Sequence, residues 1–252
     1  IQKNTTVDLR GSDVSDWVGT NTINALAYDS VRNLIFLAGG FGTFGYYNFS
    51  SNITHNLTET DTSNWIATDA LQGITFDSTD RLVYIGGANG KFGYYNLSSN
   101  VTHNLSGTDT GDWIGTDQIN YVAYDSDNKI VYLGANTGKF GYYNFSSNIS
   151  HDLSATDTGN WFSTNAITGL AYDSFNKIVY MTGFSGLLGY YNLSSNVSHD
   201  LTGTDVSDWI GTTSLRDVSY DPLGRIAFIA GDSGRFGFYN MSQNRTHNLT
   251  ET

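Results

Sequence analysis

Apolar and polar positions alternate along this chain in short runs, and the runs follow one another in a fixed order. Residues 70–76 (ALQGITF) mix apolar with small residues, which predicts a first strand lying against a crowded axis. Asp77-Ser78-Thr79-Asp80 is a turn cluster, and 82–86 (LVYIG) is a continuous apolar run of the length of a fully buried second strand. Ala88-Asn89-Gly90 predicts a tight hairpin in which Gly supplies a positive φ. Lys91 to Asn96 is an aromatic third strand, and Leu97-Ser98-Ser99 turns into a fourth strand, Asn100 to Ser106. There Val101, His103 and Leu105 alternate with Asn100, Thr102 and Asn104, so the pattern predicts a covered face through His and Leu and a wet face through Asn and Thr. No window shows the 3.6-residue period of a helix.

The whole unit recurs without insertion or deletion. Trp17, Trp65, Trp113, Trp161 and Trp209 are 48 residues apart, and so are His55, His103, His151, His199 and His247. Phe44-Gly45-Tyr46-Tyr47-Asn48 returns at Phe92, Phe140, Leu188 and Phe236. The repeats run 4–51, 52–99, 100–147, 148–195 and 196–243, with an overhang at 244–252. Four short antiparallel strands in a unit of this length make the blade of a β-propeller, and five copies suffice to close a ring. A linear stack would need capping repeats of different composition, and none is visible. The fold expected is all-β: a five-bladed β-propeller, one domain over 1–252.

With Asp61-Thr62-Ser63-Asn64-Trp65 between blades and Phe76-Asp77 through Val83-Tyr84 as strand–turn–strand, the repeats resemble five-bladed propellers of the tachylectin-2 type. That resemblance implies the same fold and a lectin-like activity. Inter-blade sugar sites would then pair Asp61 with Trp65, Asp109 with Trp113, Asp157 with Trp161, and Asp205 with Trp209, the sugar stacking on Trp and the Asp accepting. The other reading of these pairs is a Trp wedge between blades and an Asp capping the turn.

The fourth strand occurs six times, the other three five times. Asn4-Thr5-Thr6-Val7-Asp8-Leu9 and Asn244-Arg245-Thr246-His247-Asn248-Leu249 hold the same phase, and either can complete the last blade. One outer strand is therefore surplus. An unpaired strand is a template for another chain, and the expectation drawn from it is strand addition in trans, head-to-tail, into a filament. A longer tandem array and a frayed end are the other readings. Val7 stands where every other copy has His, which points to a distinct environment for the first of the six.

Composition narrows the partners. The net charge is −12, with 12 Lys plus Arg against 24 Asp plus Glu, a poor balance for binding phosphate backbones. There is no Cys, so disulfides and thiolate sites are excluded, and no apolar stretch long enough to span a membrane. Charged residues are only 14% of the chain, while Ser plus Thr number 55 and Asn 25. Much of that polarity falls into Asn-x-Ser/Thr, at Asn4, Asn48, Asn52, Asn56, Asn96, Asn100, Asn104, Asn144, Asn148, Asn192, Asn196, Asn240, Asn244 and Asn248. Chance gives about five such triplets at this composition, and these sit at three fixed phases, so the expectation is an N-glycan coat on a secreted or cell-surface protein. A polar strand face copied five times is the plain alternative.

No catalytic set emerges. Equivalent His on a ring lie too far apart to share a metal or a substrate, so packing beside Ile53 and Leu57 is the expectation for them. Asp29, Asp77, Asp125, Asp173 and Asp221 read as Asx turns, with a cation at a central opening as the rival. The position of Asn24, Gln72, Asn120, Thr168 and Arg216 varies too much for a shared active site. The chain is expected to be no enzyme and to need no cofactor; its partners are copies of itself and covalent glycans.

Overall fold

The computed structural model describes residues 18–58, 65–106, 113–154, 161–202 and 209–250. Among these residues twenty strands form five four-stranded antiparallel sheets, each from one continuous run of chain. Blade 1 holds β1 (Ile23–Asp29), β2 (Leu34–Gly39), β3 (Phe44–Asn48) and β4 (Ile53–Asn56). Blade 2 holds β5 (Leu71–Asp77), β6 (Leu82–Gly87), β7 (Phe92–Asn96) and β8 (Val101–Asn104). Blade 3 is β9 (Ile119–Asp125), β10 (Ile130–Ala135), β11 (Phe140–Asn144) and β12 (Ile149–Asp152). Blade 4 is β13 (Ile167–Asp173), β14 (Ile178–Gly183), β15 (Leu188–Asn192) and β16 (Val197–Asp200). Blade 5 is β17 (Leu215–Asp221), β18 (Ile226–Gly231), β19 (Phe236–Asn240) and β20 (Arg245–Asn248). The arrangement is that of a five-bladed β-propeller.

The second strands read as continuous apolar runs because they are covered on both faces: Val83, Tyr84 and Ile85 are all fully buried. The hairpin between second and third strands is tighter than Gly alone can make it. Asn89 and Gly90 both take positive φ, 55° and 67°. The Lys91 N–H closes the turn on the Ala88 carbonyl at 3.1 Å.

Blades pack face to face. The leading face of blade 1 (Phe36, Ala38, Phe44) meets the trailing face of blade 2 (Leu71, Ile74, Val83, Tyr95) in one apolar cluster. Three more clusters join blade 2 to 3, 3 to 4, and 4 to 5. One ring pair recurs in all four seams: Phe36–Phe76, Tyr84–Tyr124, Tyr132–Tyr172 and Tyr180–Tyr220, with centroids 5.8, 5.4, 6.5 and 6.0 Å apart. Between blade 5 and blade 1 no such cluster forms among the described residues. Leu26 is 59% exposed where its counterpart Val218 is 2%, and Phe236 is 44% exposed where Phe44 is 0%.

The Trp preceding a blade folds onto that blade's third strand. A Cβ built on Gly189 would lie 2.3 Å from the His199 carbonyl oxygen and 2.4 Å from the Trp161 ring, and Gly93, Gly141 and Gly237 are crowded in the same way. This is why the aromatic third strand keeps a Gly in every copy. Gly189→Ala is expected to cost about 3 kcal/mol through overpacking, read as a lowered urea midpoint. Gly115 has nothing within 4 Å of its would-be Cβ, so Gly115→Ala is expected to cost only the left-handed strain of its φ of +62°, about 1 kcal/mol.

Candidate functional site

The outer rim carries most of the predicted site residues. On the outermost strands the covered and wet faces are the reverse of the expected ones. Thr54, Thr102, Ser198 and Thr246 are buried, whereas His55, His103, His151 and His199 are exposed, and so are Ile53 and Ile149. In blades 3 to 5 the linker indole supplies the reason, whereas the buried N–H of Trp65 in blade 2 finds no acceptor. Trp113, Trp161 and Trp209 donate through Nε1 to the hydroxyls of Ser150, Ser198 and Thr246, at 2.9–3.1 Å, and so draw the hydroxyl inward. A buried indole N–H needs an acceptor. The imidazoles turn out and lie flat on the third-strand aromatic ring, His55 on Tyr46 and His247 on Phe238, both with centroids 4.6 Å apart. They do not pack beside Ile53 and Leu57 as expected.

The sequon asparagines occupy three distinct local sites, and each gives the Asn a backbone reason to be there. Asn48, Asn96, Asn144, Asn192 and Asn240 end the third strand, and their Oδ1 accepts the N–H or O–H groups of the turn that follows. Asn52, Asn100, Asn148, Asn196 and Asn244 sit in that turn at φ 49–59°, a left-handed conformation that Asn tolerates. Their Oδ1 accepts from the buried phenols of Tyr47, Tyr95, Tyr143, Tyr191 and Tyr239. Asn56, Asn104 and Asn248 close the fourth strand and accept an N–H two residues on. Asp152 and Asp200 make that last bond equally well, at 2.8 Å each, which explains how the third position drifts to Asp. At all three positions the acceptor oxygen is the bonded atom. The Nδ2 to which a glycan attaches makes no hydrogen bond among the described residues. The turn asparagines are exposed throughout.

Trp65 and Trp209 are buried, and Trp113 and Trp161 half-buried, against the glycines of the third strands. Asp61, Asp109, Asp157 and Asp205 lie outside the described residues, and so does the first assembly segment, Asn4 to Leu9. The second segment is described: Arg245–Asn248 pairs with β19 and fills the outer place of blade 5. Thr246 holds Trp209, and Leu249 closes the strand with a backbone bond to Phe236.

The Asp ring forms Asx turns. Asp29, Asp77, Asp125, Asp173 and Asp221 each accept the N–H two residues on, at 2.8–2.9 Å. The first four are fully buried at the seams. The phenols of Tyr124, Tyr172 and Tyr220, from the following blade, come to rest beside Asp77, Asp125 and Asp173. Among the described residues no three His, Asp or Glu gather into a metal-ligating group.

At the axis is a cavity of about 610 Å³ bordered by Asn24, Gln72, Asn120, Thr168 and Arg216. Each is the extra residue of a β-bulge between first and second strands, the device that aims one side chain out of register. Asn24, Asn120 and Thr168 use that aim to reach the next blade, donating to the carbonyls of Leu71, Ile167 and Leu215 at 2.9, 3.0 and 2.7 Å. In three of the five blades the variable position is therefore an inter-blade clasp, for which Asn and Thr both serve because only a donor is required. Arg216 of blade 5 makes no such bond to blade 1 among the described residues and pairs with Asp232 of its own blade at 2.6 Å. Asp217, beside Tyr121, is held above the usual carboxylate range chiefly by burial.

Burial pushes the phenols of Tyr95, Tyr220 and Tyr239 up to about 12. An unfolded phenol ionises near 10, so above that pH the folded state holds protons that the unfolded state has released. Stability is accordingly full below about pH 10 and is lost as pH rises through the folded values. Urea midpoints are expected to be flat from pH 7 to 9 and to fall steadily above 10; a flat profile to pH 12 would contradict the burial of these hydroxyls.

No known protein family matches the sequence, and no curated protein does. Solved structures do match. A chain of a mitotic checkpoint complex superposes with TM-score 0.67 at 15% identity, over 89% of this chain and 62% of that one. A chain of a nidogen/laminin complex gives TM-score 0.67 at 12% identity, over 90% of this chain and 78% of that one. This chain thus spans less than two thirds of the first of these. At such identities the likeness is one of fold alone, and it agrees with the blades: the chain is a five-bladed β-propeller.

Proposed function

We propose that this protein is an extracellular, N-glycosylated structural propeller that assembles head-to-tail into filaments through a terminal strand donated in trans. One observation carries the reading: all five outer positions are filled by strands from the same continuous runs as their blades, β20 included. The sixth copy of the outer-strand sequence, Asn4 to Leu9, is then surplus to the five blades. Among the described residues each fourth strand also lies at the outer edge of its sheet, the place where an added strand would pair.

The glycan part rests on exposure. Asn52, Asn100, Asn148, Asn196 and Asn244 present a solvated turn in every blade, with the carboxamide oxygen occupied and the nitrogen not. Sugars there would flank the outer edges and limit them to the specific strand. Among the described residues no helix is long and apolar enough to cross a membrane. The lectin-like reading of the tachylectin-2 type has less support, since its Trp rings lie against glycine backbone and three donate to hydroxyls.

Deleting residues 1–9 is expected to abolish filaments in electron micrographs while leaving the far-UV spectrum of a folded propeller; filaments that persist would place the contact elsewhere. Intact mass of native material is expected to exceed the polypeptide's 27.6 kDa, and replacing Asn52, Asn100, Asn148, Asn196 and Asn244 with Gln should remove most of the excess.

A further inference from the structure

The unsealed seam is a second feature of the molecule that calls for a partner. Blade 5 exposes a leading face, with Phe236 44% exposed and Phe228 half-buried; blade 1 exposes a trailing face through Ile23, Leu26 and Tyr28. Each face is one half of a seam that the molecule builds four times.

The match extends beyond apolarity. Four ring pairs cross the sealed seams, and the two rings at that position left without a seam are Phe228 and Tyr28. Tyr124, Tyr172 and Tyr220 sit beside the Asp of the preceding blade; by the same spacing Tyr28 belongs beside Asp221, but instead donates to Asn33 of its own blade at 2.9 Å. The bulge residues Asn24, Asn120 and Thr168 donate to the next blade's first strand, at the position that for Arg216 is Ile23, yet Arg216 is folded back on Asp232. In sealed seams the left-handed glycines Gly42, Gly90 and Gly186 abut the linker carbonyls of Ala67, Gly115 and Gly211, within 2.1 Å of a would-be Cβ. Gly234, at the same place in blade 5, meets nothing within 4 Å.

We propose that the leading face of blade 5 in one copy packs on the trailing face of blade 1 in a second copy, so that the blade-to-blade seam continues across the molecular boundary. The contact is heterologous, leaves a blade 1 face at one end and a blade 5 face at the other, and so propagates. It rests on the reading of the protein as a self-assembling subunit, to which it adds a contact separate from the donated strand. In the new seam Arg216 would leave Asp232 for the Ile23 carbonyl, and Tyr28 would leave Asn33 for Asp221.

The chain has no Cys, which makes thiol cross-linking clean. Tyr28→Cys and Phe228→Cys are prepared singly in the full chain, checked for an unchanged far-UV spectrum, mixed one to one, and treated with a short bis-maleimide. A covalent dimer is expected from the mixture and far less from either variant alone. The double variant is expected to give a ladder of multimers. An internally bridged monomer from the double variant, with no dimer from the mixture, would show that the two faces meet within one molecule and would overturn the proposal; so would no cross-link in either sample. The same experiment without residues 1–9 separates the two contacts. A ladder that survives the deletion supports the seam whether or not filaments survive, and a ladder lost with the strand means the faces have no affinity of their own.

Discussion

A blade of four short strands has two apolar faces, and neither can be left in water. That constraint organises this molecule. Burying a Leu, Ile or Phe side chain fully is worth about 1.5–3 kcal/mol, and each sealed seam buries several at once, for instance Phe36 and Phe44 against Leu71 and Ile74. The glycine of the third strand lets the indole close down on it, and the small first-strand residues bring neighbouring blades into backbone contact, as where Gly73 meets the Cα of Tyr121. Polar groups are fitted around this burial and not the reverse. The rim ion pairs Lys129–Asp80 and Lys177–Asp127 also bridge blades, but their side chains are more than a third exposed, and pairs of that kind contribute at most about 1 kcal/mol.

What could be read from the sequence was what repetition makes loud. The 48-residue period, the four strands and the Asx turns at Asp29 and its copies all follow from local pattern, since each depends on residues close in the chain. The faces of the outer strand did not follow. The same alternation in the outer strands of blades 3 to 5 pointed the wrong way because an indole 37 residues away bonds the central hydroxyl, as Trp113 does Ser150; in blade 2 Thr102 is buried although the Trp65 N–H finds no partner. A threonine hydroxyl that satisfies a buried N–H is better inside than an imidazole that already has a ring to lie on. Leu105 nevertheless packs inward beyond the strand end, so one apolar anchor of that face was legible and the strand before it was not.

The asparagines show how a compositional signal can have two physical sources. Their excess in the outer strand suggested glycan acceptors, since Asn is disfavoured in strands. None of the described ones lies in mid-strand: they end strands or hold a left-handed turn, where Asn is favoured in its own right. A structural role for Oδ1 and attachment at Nδ2 use different atoms, so one does not displace the other. The third position separates them, because Asp152 and Asp200 keep the acceptor and lose the attachment site. Selection on the backbone bond suffices there; the turn position keeps Asn in all five blades, although Asp would also accept from the phenol.

The open seam was illegible for the opposite reason to the outer strand. Every repeat spells out both halves of a seam, so the sequence treats all five junctions alike, and only geometry shows that four are sealed. One residue did carry a trace of it. Asn24, Gln72, Asn120 and Thr168 are uncharged, and Arg216 alone is charged and has an acid, Asp232, within its own blade. A charged donor is a poor choice for a permanently buried clasp, since its desolvation is not returned by one carbonyl. Where the clasp must stay soluble until a neighbour arrives, an arginine resting on an exposed carboxylate fits, because the group remains solvated in the unpartnered state. Blade 5 thus differs from the other four at the residue that faces the open seam.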